Sequence, residues 1–257
     1  MEKEEQNSFE FYKLIPNAIT MSALCLGLFA VRLAIMGNFE SAAICVIIAC
    51  LCDGIDGNVA RKLNASSEFG AQMDSLADFF NFGIAPGFLV YFWKMQEYDT
   101  IKKVAWFPVL LLAVCMAIRL ARFNVALTNE DHENPLNKYF FKGVPAPMAA
   151  SLVLFPMCVS FEFPCLIIFS CPLFVIINTT IVALLAGSTI PTPCLKKIKF
   201  KSSQKQLLLM LIGILLVGLL INVWLFSSII CLIYFVSILI GWGYYYKFYK
   251  ELNKTNK

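Results

Sequence analysis

Long apolar runs alternate with short polar breaks along almost the whole chain. They cover about 16–36, 40–61, 70–93, 104–124, 145–162, 164–187, 206–226 and 228–248. Each is roughly 17–25 residues, enough to cross a hydrocarbon core about 30 Å thick. The runs lack the strict alternation of a lipid-facing strand, and a backbone in lipid must satisfy its own hydrogen bonds. The pattern therefore predicts helices. The expected fold is all-α, a polytopic transmembrane bundle of about eight spans with no large soluble domain. Only "SFEFPC" separates the fifth run from the sixth. The first run is expected to be a span and not a cleaved leader. An acidic "MEKEE" precedes it, and no small-residue cleavage site follows.

Composition agrees with this picture. The chain has 257 residues, 59% hydrophobic and 15% charged, with mean hydropathy +0.72, whereas soluble domains carry about a quarter charged residues. The basic residues are distributed unevenly between the breaks. One side of the membrane receives Arg61, Lys62, Arg119, Arg122, Lys138, Lys142, the Lys196–Lys205 cluster and both ends of the chain. The other keeps essentially Lys94, Lys102 and Lys103. By the positive-inside rule the first side is cytoplasmic. The net charge of +4 reflects these loops, which suit anionic lipid head groups. Ten cysteines are scattered, mostly within the runs and without zinc-type spacing, and read as buried free thiols. His132, in "NEDHEN", reads as solvated.

One stretch departs from the apolar pattern. "DGIDGNVARKLNASSEFGAQMDSLAD" carries Asp53, Asp56, Asp74 and Asp78 between two greasy runs, where an ionised carboxylate is costly unless paired or bound to metal. Spacings of three and four place each pair of acids on one helix face. Four such charges repel unless cations intervene. With no His or Cys at ligand spacing, hard divalent ions fit, Mg²⁺ or Mn²⁺ especially. An EF-hand loop does not, because the twelfth position from Asp53 is Asn64 in place of a bidentate Glu. An ion or proton pathway is the rival from a different class. It has no need of Gly57, Ala60 and Gly70 beside the acids, nor of Arg61. A bulky anion pressed against the helices needs all four.

The order Asp53-x2-Asp56-Gly57-x2-Ala60-Arg61-x8-Gly70-x3-Asp74-x3-Asp78 resembles the signature of the CDP-alcohol phosphatidyltransferases. "IPNAIT", "DSLADFFNFGIAPG", "RLARFN" and "FKGVPAPMAA" are similar to the bacterial branch that uses serine, the phosphatidylserine synthases. Asn81 stands where that branch suggests a serine. The resemblance implies a dinuclear site of Mg²⁺ or Mn²⁺ facing the cytoplasm, in the cytoplasmic (inner) membrane. Asp53, Asp56, Asp74 and Asp78 would hold the metals, with Asp78 also the general base. Asn17, Thr20, Gly57, Ala60, Arg61, Ser67 and Gly70 would bind the donor nucleotide and diphosphate. Asn17 and Thr20 also read as capping residues after Pro16.

On this resemblance, CDP-diacylglycerol and L-serine are the expected substrates, with phosphatidylserine and CMP as products. The same chemistry on glycerol phosphate, choline or inositol phosphate is the alternative. Arg119 and Arg122, three apart at a helix end, are candidates for the serine carboxylate, which a guanidinium fork matches. Membrane lipids and a second copy in a homodimer are the expected partners, and no nucleic acid is expected. The expected organisation is an N-terminal segment 1–15, a six-span phosphatidyltransferase core 16–187, a basic loop 188–205, and two further spans with a tail at 206–257.

Overall fold

The computed structural model describes residues 2–63, 65, 67–97, 99–128, 140–193 and 202–255. His132 and the basic loop residues Lys196–Lys201 lie outside them. The described chain is helical, apart from two three-residue strands. In order come Glu2–Ile35 (α1), Phe39–Lys62 (α2), Glu68–Met95 (α3), Asp99–Thr128 (α4), Ala146–Glu162 (α5), Pro172–Gly187 (α6), Ser202–Ile221 (α7) and Val223–Thr255 (α8). The strands are Phe140–Lys142 (β1) and Pro191–Pro193 (β2). Among the described residues, five helices are long and apolar enough to cross a membrane: α1 to α4 and α8. Three shorter apolar helices, Ala146–Glu162, Pro172–Gly187 and Leu209–Ile221, accompany them.

Local chemistry sets the helix boundaries. Gly37, at φ +80°, turns the chain out of α1, and Asn38 caps α2 by accepting from Ser41 N at 3.2 Å. Ser67 caps α3 by accepting from Gly70 N at 3.0 Å. The helix expected to begin near 164 begins at Pro172 instead, after a short 3₁₀ turn at Ile167–Ser170. Proline has no N–H to give to a preceding turn but suits the first position of a helix, so Pro172 starts α6 and cannot continue one.

Helix α3 widens into π turns at Phe79–Ile84 and Tyr91–Met95. The first follows Asp78 directly and precedes Pro86, whose ring would clash with the carbonyl four residues back in a regular helix. Ala85 N instead reaches Phe80 O, five residues back.

Small residues let the helices approach closely, as expected where lipid supplies no hydrophobic drive between spans. Ala30 and Ala34 of α1 are buried with Ala42, Ala43 and Ala49 of α2. A Cβ on Gly83 or Gly87 of α3 would lie 3.0 Å from Met116 or 3.2 Å from Val109, both on α4. Outward faces stay apolar: Ile44, Ile48, Leu51 and Ile55 make an exposed stripe along α2, as a lipid-facing surface does.

The strands form an antiparallel ladder in which Phe141 lies opposite Thr192. Gly143, at φ +82°, closes its end, with its N–H donating to Ile190 O at 2.8 Å. A Cβ there would meet Ser188 O at 2.7 Å, so glycine is required twice over.

Candidate active site

Between the end of α2 and the start of α3, Ala65 is buried and donates its N–H to Ala60 O at 2.9 Å. The acidic faces of α2 and α3 come together here. One carboxylate oxygen from each of Asp53, Asp56 and Asp74 lies within 4.8 Å of the other two. Asp56 is only 4% exposed. Its Oδ2 lies 2.6 Å from Thr20 Oγ1 on α1, and its Oδ1 accepts from Gly57 N at 2.6 Å. Asp78, one turn after Asp74, contacts the Asp53 carboxyl and feels the charges of Asp74 and Arg119.

This donor set fits a divalent cation. Two oxygens bound to one hard ion at about 2.0–2.6 Å stand roughly 4–5 Å apart across it, and the observed spacing reaches 4.8 Å. All donors are carboxylate oxygens, the set preferred by Mg²⁺ and Mn²⁺. Three carboxylates so close repel one another strongly without a cation between them.

A cavity of about 330 Å³ opens beside the acids. Asn17, Thr20, Gly57, Ala60, Arg61, Ser67 and Gly70, the residues expected on the donor nucleotide, all line it, together with Asp56 and Asp74. Gly70 packs against Asn17, since a Cβ there would lie 2.8 Å from Asn17 Oδ1. At Gly57 a Cβ would meet no atom within 4 Å, so nothing in the protein's own packing demands glycine there. Arg61 is oriented by Asn58, whose Oδ1 accepts from Arg61 Nη2 at 2.9 Å while its amide donates to Gly54 O at 2.6 Å. Spacing along the sequence did not single out Asn58, although it sits three residues before Arg61 on the same helix face.

Arg119 and Arg122 lie outside that cavity and have separate surroundings. Arg119 Nε donates to Val144 O at 2.7 Å, and its charge faces Asp78. Arg122 Nη2 donates to Gly187 O at 2.5 Å and Ser188 O at 3.2 Å, so this guanidinium holds the C-terminal end of α6. Between the helices, Asn124 of "RLARFN" donates to Ser75 Oγ at 3.0 Å, tying α4 to the acidic turn of α3. Asn81 is buried against Gly27 of α1.

Comparison with known proteins agrees with this geometry. A relative from Helicobacter pylori (strain J99), called CDP-diacylglycerol–serine O-phosphatidyltransferase, is 38% identical over 141 residues, 55% of this chain and 56% of its own. Proteins of the same name from Mycobacterium tuberculosis (39% over 138 residues, 54% of this chain and 46% of theirs) and Bacillus subtilis (34% over 135 residues, 52% and 70%) are also similar. The chain spans about half the length of the mycobacterial relatives. A family model described as CDP-alcohol phosphatidyltransferase matches residues 13–182, about two-thirds of the chain and all of the acidic motif. The chain belongs to the CDP-alcohol phosphatidyltransferase family.

Proposed function

We propose that the protein transfers the phosphatidyl group of CDP-diacylglycerol to the hydroxyl of L-serine, giving phosphatidylserine and CMP. The observation that carries this reading is the convergence of Asp53, Asp56 and Asp74 at the wall of a cavity lined by Gly57, Arg61 and Gly70. The names of the similar proteins favour serine as the acceptor.

In this reading Asp53, Asp56, Asp74 and Asp78 hold two divalent cations, Mg²⁺ or Mn²⁺. When bound, these offset the diphosphate charge and stabilise the CMP leaving group. Gly57 and Gly70 let the donor approach the helix backbone. Arg61, steadied by Asn58, hydrogen-bonds phosphate oxygens, and Thr20 holds Asp56 in orientation. Asn17, Ala60 and Ser67 complete the nucleotide wall. Asp78 takes the proton of the serine hydroxyl as its oxygen bonds to phosphorus and the bond from phosphorus to the CMP oxygen breaks. Arg119, beside Asp78, receives the serine carboxylate. Arg122 supports that site from the end of α6. The organisation is eight spans, with α5, α6 and α7 crossing alongside the five longer ones. The acidic site faces the cytoplasm from the inner membrane, and the protein pairs with a second copy.

The test is CMP release by purified protein from CDP-diacylglycerol, with serine, glycerol phosphate, choline or inositol phosphate offered in turn. Serine-dependent release is expected, lost in EDTA and restored by Mn²⁺ or Mg²⁺. Release with another alcohol and none with serine overturns the acceptor. Full activity after exhaustive chelation overturns the metal site.

A further inference from the structure

Two buried side-chain atoms have no hydrogen-bond partner among the described residues, Asn81 Oδ1 and Tyr234 Oη. An orphaned buried hydroxyl costs roughly 1–3 kcal/mol, so it marks a place where a ligand or water completes the bond. Asn81 packs on Gly27. Tyr234 lies elsewhere, on α8, well beyond the matched residues 13–182.

Helix contacts place the phenol. Cys231 Sγ reaches Ser151 O at 3.4 Å, and the Trp224 and Phe161 rings stack edge-on at 4.9 Å. Helices α5 and α8 therefore run antiparallel, and Tyr234, three residues past Cys231, is level with the first turn of α5. Val144, just before that turn, accepts from Arg119 Nε. Helices α3 and α4 are antiparallel too, because Ser75 meets Asn124 and Gly83 meets Met116. That register brings Asp78 level with the Arg119 turn. Arg119 is near enough to both Tyr234 and Asp78 for its charge to act on each. Thr192 of β2 is the other polar neighbour; its hydroxyl donates to Gly143 O at 2.7 Å, and its oxygen, still free to accept, is not within hydrogen-bond geometry of the phenol.

The phenol and the guanidinium thus lie near each other outside the donor cavity, which neither lines. Val144 O takes only one of the five N–H donors of Arg119. An anionic group seated there would meet two kinds of donor at once, with an attached hydroxyl in reach of the base.

We propose that Tyr234 is an acceptor-binding residue, its hydroxyl donating a hydrogen bond to the carboxylate of the incoming amino acid beside Arg119. This rests on serine being the acceptor, as proposed above. It gives the last helix, outside the matched part of the chain, a role in acceptor selection.

The experiment measures CMP release by wild type and Tyr234→Phe while serine and CDP-diacylglycerol are varied separately, and thermal unfolding of both. Phenylalanine keeps the ring and its packing and removes only the hydroxyl. The KM for serine should rise roughly tenfold or more, as expected when a hydrogen bond to a charged group is lost. The turnover at saturating serine and the KM for CDP-diacylglycerol should stay within about twofold. The unfolding midpoint should hold or rise, since the phenol has no bond to lose. An unchanged serine KM in a wild type that uses serine overturns this inference alone. A change confined to the CDP-diacylglycerol KM also overturns it, because the hydroxyl then serves the donor. Wild type that releases CMP with another alcohol and not with serine overturns both this inference and the acceptor reading.

Discussion

Gly57 and Gly70 line one cavity for different physical reasons. A side chain at Gly70 would run into Asn17 and Ser67, so that glycine belongs to the packing of α1 on α3. At Gly57 a methyl group would meet only open space. Within a helix, alanine is about 0.5–1 kcal/mol more favourable than glycine. Gly57→Ala should therefore raise the unfolding midpoint or leave it unchanged, while raising the KM for CDP-diacylglycerol roughly tenfold if the donor presses on that backbone. Unfolding and steady-state kinetics on one preparation check both halves, and an unaltered donor KM removes Gly57 from the site. The acids and glycines were legible in the sequence because spacings of three and four fix a helix face without any tertiary knowledge. The bond from Thr20 to Asp56 spans 36 residues, and Tyr234 lies further off still. Neither leaves a local trace, so only the packing of α1 and α8 reveals them.

Between elements, the two arginines of "RLARFN" illustrate what periodicity reads well and what it misses. Their spacing placed both near one face of a helix end, but not what that face meets. Arg119 meets Val144 and Asp78, whereas Arg122 meets the last carbonyls of α6. Helix ends leave carbonyls without intrahelical partners, and a guanidinium that bonds two of them steadies the end. Arg122→Lys should lower stability by roughly 1 kcal/mol and change the serine KM little. Arg119→Lys keeps the charge but loses the fork beside Asp78, and should raise the serine KM roughly tenfold. Thermal unfolding and serine titration of both variants separate the roles; a serine KM raised by Arg122→Lys with stability intact returns Arg122 to the acceptor site. Helix existence and type were readable from apolar runs, yet the start of α6 at Pro172, the π turns of α3 and the β1–β2 ladder were not. Each depends on a proline or glycine answering to neighbouring chain, and the ladder joins two three-residue segments too short for any periodicity to register.

At the scale of the whole molecule, the proposed reaction requires that CDP-diacylglycerol and a soluble amino acid reach the same face. The acidic site lies where α2 ends and α3 begins, with Arg61 and Lys62 at that end of α2. From there α3 runs 28 residues to Met95, about 42 Å at 1.5 Å per residue, longer than the roughly 30 Å hydrocarbon core. Lys62 and Gln96 must therefore emerge on opposite faces if α3 spans the bilayer. In the proposed orientation, the excess of lysine and arginine on the Lys62 side puts that face in the cytoplasm. Both residues are exposed, and neither lines the donor cavity. In a background with the native cysteines replaced, Lys62→Cys should react with a membrane-impermeant maleimide only after the membrane is opened. Gln96→Cys should react from outside in intact cells. Equal reaction of both from one side means that α3 does not span; the reverse pattern means that the site faces away from the cytoplasm. The first result overturns the span assigned to α3; the second leaves the acids without access to cytoplasmic serine and overturns the proposed orientation, whatever the identity of the metal.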